Sequence, residues 1–239
     1  MARAIRLFFN RILRSARWPA FLVIALLLAP PARADLPTYL REALKSFSAD
    51  VPQGWAFTIK TQRDEIVTTE HYDPTKPPSE RWTLLSHKGQ PPTADDLKRY
   101  AELKQANPLP GSQATFKRED IDPASLTLKS EDDDRADYEG AFRETSAESD
   151  KMLAHLVLRL TVNKRRPHVE KYTIELREPY SPILGVKMVR LLATMTFVPP
   201  KNGEPNRPAS FTSDFQGRIF FIGTAEKLAV TYSDYRQAP

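Results

Sequence analysis

Met152-Leu153-Ala154-His155-Leu156-Val157-Leu158-Arg159-Leu160-Thr161-Val162-Asn163 is the stretch whose pattern decides the fold. Met152, Ala154, Leu156, Leu158, Leu160 and Val162 fall on one side of an extended chain. Leu153, His155, Val157, Arg159, Thr161 and Asn163 make a mixed opposite side. A period of two is the period of a pleated strand, so the spacing predicts a half-buried strand over 152–163. Lys164-Arg165-Arg166-Pro167 then turns the chain. Residues 168–177 return as a second strand, with Tyr172, Ile174 and Leu176 opposite Thr173, Glu175 and Arg177.

Working outward, the same alternation recurs. Trp55, Phe57 and Ile59 share one side of 55–61, and 66–72 returns after an Arg63-Asp64-Glu65 turn. Strands are expected at 80–87, 125–131 and 136–143, the last two joined by Asp132-Asp133-Asp134-Arg135. Residues 183–198 are long enough for a helix, but Val189, Leu191, Ala193, Met195 and Phe197 alternate with polar neighbours and prolines bound both ends, which favours a strand. Further strands are expected at 209–215, 217–223 and 226–233, the first two turning near Gln216-Gly217. Helical spacing occurs twice. Leu36, Tyr39, Leu40, Ala43, Leu44 and Phe47 line one face of 36–48. Thr93-Ala94-Asp95-Asp96 resembles a capping box, with Asp in place of Glu, and opens a helix reaching about residue 105. The expected architecture is therefore α+β: a strongly curved antiparallel sheet, a half-barrel of about ten strands, with two helices on its concave side.

The first 34 residues read differently. An Arg-rich start precedes the apolar run 20–29, Pro30-Pro31 breaks it, and Ala32-Arg33-Ala34 offers a small-x-small cleavage site. The run is too short for a spanning helix, which needs about 20 residues. A cleaved signal peptide over 1–34 is the expectation, with an uncleaved anchor as the alternative, followed by one domain over 35–239. The leader holds 6 of the 35 basic residues and none of the 30 acidic ones, so the formal charge of +5 becomes 29 bases against 30 acids after cleavage. A net charge of −1 argues against a general nucleic-acid surface. The absence of cysteine excludes disulfides, a nucleophilic thiol and a lipidated N-terminal cysteine. The expected location is the periplasm, and the expected state a monomer.

Residues that could carry chemistry are sparse. His71, His87, His155 and His168 form no metal-ligand spacing, although His71 and His87 lie on neighbouring expected strands. No nucleophile elbow, Ser-x-x-Lys or phosphate-binding glycine loop occurs. Neither catalytic residues, metal nor cofactor are expected. Glu131-Asp132-Asp133-Asp134 lacks the spacing of a calcium hand and reads as a solvated turn. Lys164-Arg165-Arg166 is a basic turn, solvated or touching an anionic headgroup in transient contact with a membrane surface. The large apolar residues on the sheet faces either pack as a core or wall a cavity. Two short helices cannot cover about ten strands spaced about 4.8 Å apart, so the sheet either curls on itself or holds something apolar. The wall candidates are Trp55, Phe57, Trp82, Leu84, Leu156, Leu158, Tyr172, Ile174 and Phe197.

Tyr72-Asp73-Pro74, Trp82-Thr83-Leu84-Leu85 with Gly89 and Pro92-Thr93-Ala94, Ser181-Pro182-Ile183-Leu184-Gly185-Val186-Lys187 and Tyr232-Ser233-Asp234-Tyr235 resemble a set of secreted bacterial proteins without an assigned activity. The order helix, strands, helix, strand meander behind a leader is similar to the periplasmic lipoprotein-carrier superfamily, the Lol-type half-barrels. That resemblance implies an apolar cavity for acyl chains. The leading expectation is a non-enzymatic periplasmic carrier of an apolar ligand such as a lipid or lipidated peptide. The alternative is a structural or interaction component of the cell envelope with a filled core.

Overall fold

A row of directly opposed residues runs across the sheet: Tyr138, Leu160, Tyr172, Met195, Phe211, Val230 and Thr61. Opposed residues in antiparallel strands share a face, so this row fixes which face is apolar. The computed structural model describes residues 35–106, 116–143, 148–201 and 204–239, and Leu36–Pro239 forms one compact unit. Its strands are β1 (Trp55–Arg63), β2 (Ile66–Tyr72), β3 (Trp82–His87), β4 (Thr127–Glu131), β5 (Arg135–Gly140), β6 (Leu156–Asn163), β7 (His168–Leu176), β8 (Tyr180–Ile183), β9 (Val186–Val198), β10 (Arg207–Ile219) and β11 (Ile222–Gln237). They form an 11-stranded sheet in the order β3-β2-β1-β11-β10-β9-β7-β6-β5-β4, with β8 on β9. The first hairpin thus joins the last through β1 and β11. The two ends of the path, β3 and β4, are not paired with each other, so the curved sheet does not close into a barrel.

Both helices cover the apolar face. α1 (Thr38–Ser46) buries Leu40, Ala43 and Leu44 and packs on β6 and β7. It stops where Phe47 turns extended and drops into the core, against Phe116, Tyr172 and Phe197. α2 (Ala94–Ala106) lies over β3 at the other end of the sheet. The expected capping box is present with the shorter acid. The Thr93 amide and hydroxyl donate to Asp96 Oδ2 at 3.0 and 2.7 Å, and the Asp96 amide donates back to Thr93 Oγ1 at 3.2 Å.

Two expectations need correction. Residues 152–155 are not strand: Glu148–His155 is 3-10 helical, and Leu156 opens β6. The stretch 209–223 is not two strands turning at Gln216-Gly217. β10 runs on to Ile219, the turn is Phe220-Phe221, and β11 begins at Ile222. Gly217 is instead a point of close approach within β10. The register against β9 shifts there, and a Cβ at Gly217 would lie 2.8 Å from the Phe215 ring and 3.0 Å from the Lys187 carbonyl. The ambiguous 183–198 segment is strand, as β9 with the last residue of β8 before it. The leader reading falls outside the described residues.

Candidate functional site

All nine wall candidates are buried. Phe57, Trp82, Leu156, Leu158, Tyr172, Ile174 and Phe197 belong to one contiguous core, while Trp55 and Leu84 lie outside that cluster. The core is filled by rings. Phe116 sits 5.1 Å from Tyr172 and 4.9 Å from Phe142, and Phe57 meets Trp82 edge-on at 5.9 Å. Phe57, Leu156, Leu158 and Tyr172 have 0 % of their surface accessible. Such side chains line no space large enough for water, let alone an acyl chain. Trp55 instead meets Tyr235 edge-on at 6.4 Å and lies 4.7 Å from the Arg207 guanidinium, a cation–π contact.

Several polar atoms are caught in the core. Burial pushes the Tyr232 phenol up to about 12, and it pushes that of Tyr172 higher still. The Tyr172 hydroxyl has no hydrogen-bond partner. α2 is pinned by Lys104, whose Nζ lies 2.7 Å from Glu70 Oε1, 3.9 Å from the centre of the Trp82 ring and 5.2 Å from that of Tyr100. Burial first, and the Glu70 carboxylate second, hold the Tyr100 phenol far above its ordinary range.

The two charged turns that stand apart in the sequence meet in space. β4–β5 and β6–β7 are neighbouring hairpins, so Lys164 Nζ reaches Glu131 at 3.1 Å and the Asp132 carbonyl at 2.8 Å, while Arg165 pairs with Asp134. Asp132 itself accepts from the amides of Asp134 and Arg135 at 2.8 Å each, which lowers its carboxyl below the ordinary value. Acids that could have met calcium and two of the cations that could have met a headgroup satisfy each other. Behind them, Arg159 bridges Glu139 and Glu175 on the solvent face of β5, β6 and β7.

The histidines do not converge. His71 is opposed to Thr83, whereas His87 is opposed to Thr68, three positions along β2, roughly 10 Å away. His71 Nδ1 contacts Thr58 Oγ1 at 3.3 Å, His87 lies 3.9 Å from Asp96, His155 stacks on Tyr180, and His168 Nδ1 is 2.6 Å from the Arg166 carbonyl oxygen. Among the described residues, no group of three His, Cys, Asp or Glu side chains could hold a metal ion, and no helix is long and apolar enough to cross a membrane.

One cleft of about 410 Å³ opens beside α1. Leu44 and Ile121 are its buried apolar residues, and Lys45, Arg118, Glu119 and Arg143 also line it. Arg118 donates to the Lys45 carbonyl at 2.7 Å and to Glu119 at 2.7 Å, and Arg143 Nε to the Ile121 carbonyl at 2.9 Å. Sequence reading missed this cleft because its lining comes from segments far apart in the chain. It also missed the Lys104 and Arg207 contacts for that reason.

No protein-family model and no curated protein matches the chain. Among solved structures, a GphF dehydratase variant made for improved crystallization aligns over 82 % of this chain and 81 % of its own, at 10 % identity and a TM-score of 0.16. An isomerase-inactive variant of GphF DH1 aligns over 84 % and 82 %, at 11 % identity and the same TM-score of 0.16. Similarity this low carries no argument about fold or activity.

Proposed function

We propose that this chain is a non-enzymatic interaction protein of the cell envelope, built on a filled core and working through its surface. The observation that supports this most is the packing of the would-be cavity wall. Phe47 and Phe116 occupy the place over Tyr172 and Phe197 where a cargo would lie. The leader-like residues 1–34 supply the envelope location in this reading.

A second reading keeps the carrier function and moves it to the cleft beside α1. Lys45, Arg118 and Arg143 against the single acid Glu119 suit an anionic head, with Leu44 and Ile121 beneath the first carbons of a chain. Four of the seven lining residues are charged, which suits an amphiphile's head better than an acyl chain along its length.

Native mass spectrometry of the gently purified protein separates the two. The interaction reading expects no stoichiometric lipid and no displacement of an apolar dye. A one-to-one acyl-chain adduct that survives purification and is lost in Arg118→Ala with Arg143→Ala would replace it with the carrier reading.

A further inference from the structure

The sheet carries a ribbon that runs on beyond its body, tied to the core through Met188, Leu191 and Phe215. β1 stops pairing with β11 at Arg63 opposite Leu228, and β7 stops pairing with β9 at Glu175 opposite Leu192. Beyond those points β9, β10 and β11 continue together, joined only by the short β8. From Leu228 to Ile222 is six residues of extended chain, roughly 20 Å. The far end of the ribbon is two turns side by side. Gly185 takes φ +82° in the β8–β9 turn, and its carbonyl accepts from the Phe220 amide at 2.5 Å. A Cβ at Gly185 would lie 2.7 Å from the Phe220 ring, so the missing side chain is what lets the two turns close into one tip.

That tip is apolar and open to solvent. Phe221 is 100 % exposed and Leu184 99 %, with Ile183, Ile219, Phe220 and Ile222 also exposed around them. Contiguous exposed apolar groups of this size mark contact sites. The turn chemistry points the same way. A two-residue hairpin turn favours Asn or Gly where φ is positive, yet Phe220 sits at φ +54°. A bulky residue held in that conformation is strained, and such strain gathers where it serves contact rather than folding.

Charge completes the picture. Lys187 and Arg218 are directly opposed on β9 and β10, immediately behind the tip. Like charges so placed repel, and neither has an ion-pair partner among the described residues. No Asp or Glu occurs in 179–189 or 215–225. We infer that this tip inserts into the surface of an anionic phospholipid bilayer, Phe221 and Leu184 entering the acyl boundary while lipid phosphates lie between Lys187 and Arg218. A narrow apolar end with a cationic collar and no acid fits the layered chemistry of such a surface. The inference rests on the interaction reading above and names its partner.

The test uses the full chain carrying Phe221→Trp, mixed with phosphatidylcholine vesicles with and without phosphatidylglycerol. Trp55 and Trp82 are buried, Trp18 belongs to the leader-like segment, and the spectrum of the unsubstituted chain under the same conditions is subtracted, so the difference emission reads position 221. The expected result is a blue shift with phosphatidylglycerol vesicles and little with phosphatidylcholine alone. Leu184→Ser with Phe221→Ser, whose side chains lie outside the core, should keep the thermal midpoint and lose at least about tenfold in vesicle binding. Lys187→Gln with Arg218→Gln should lower binding to the anionic vesicles roughly 30-fold. No blue shift, together with equal flotation of the serine variant and the parent, overturns the inference. Tip-dependent self-association without vesicles overturns it in favour of a protein partner and leaves the interaction reading standing. The acyl adduct described above would instead remove the interaction reading while the tip shift persisted.

Discussion

The body of the sheet and its projecting ribbon use the same side chains in opposite ways. Phe57 and Leu158 in the body have no accessible surface, while Phe221 and Leu184 at the ribbon's end are almost fully accessible. Burying such a side chain contributes about 1.5–3 kcal/mol to folding, and leaving it in water contributes nothing. The body therefore holds the stability of the fold, and the tip is available for contact. The difference also explains why α1 and α2 sit where they do. Both cover the body, α1 over β6 and β7 and α2 over β3, while the 3-10 helix Glu148–His155 meets β8.

The comparison breaks most visibly by truncating an equivalent ring in each region. Phe57→Ala should cost about 3–5 kcal/mol, because its neighbours Tyr72, Trp82 and Tyr232 cannot all collapse into the space. Phe221→Ala should change stability by less than about 0.5 kcal/mol. Urea denaturation midpoints of the two variants check this directly. A smaller effect separates the body's two helices. Lys104→Ala leaves Glu70 without its cation beneath α2 and removes the contact over Trp82, which should cost about 2 kcal/mol. Hydrogen exchange should show α2 opening while α1 stays protected.

Smaller again is the α2 cap, where Thr93→Ala should cost about 1 kcal/mol. Its pH dependence has a definite sign. The Thr93 hydroxyl, and then its amide, hold the Asp96 carboxyl below its ordinary value of 3.8. A lowered folded value means the cap's contribution is complete above that ordinary value and is lost as the pH falls through the lower one. The gap in thermal midpoint between parent and Thr93→Ala should thus narrow in acid and stay constant near neutrality. The smallest effect sharpens the description of the core. Tyr172→Phe removes a buried hydroxyl that has no partner, so stability should be unchanged or slightly raised. A marked loss would show that the hydroxyl is satisfied.

Alternation made the body legible from sequence. Leu156, Leu158 and Leu160 face the core as their period of two requires, and Thr93 and Asp96 cap α2 as their spacing requires. The ribbon was not legible, because its turn breaks the usual chemistry. Gln216-Gly217 looks like a hairpin turn yet lies inside β10, where Gly217 answers close packing, while the true turn is made of two phenylalanines. Ile219-Phe220-Phe221-Ile222 reads as buried strand when turns are expected to be polar. The charged turns posed the opposite difficulty. Nothing in Glu131–Asp134 or Lys164–Arg166 announces that they pair, because that depends on β4, β5, β6 and β7 lying side by side. His71 and His87 follow the same rule, since strand register rather than strand adjacency decides which residues meet.

The central claim is that stability and contact are held by different regions. Its most direct measurement is the thermal midpoint and the vesicle affinity of one variant, Leu184→Ser with Phe221→Ser, set beside the parent chain. The account predicts an unchanged midpoint and at least about a tenfold loss of binding to phosphatidylglycerol-containing vesicles. A lowered midpoint with undiminished vesicle binding would contradict it.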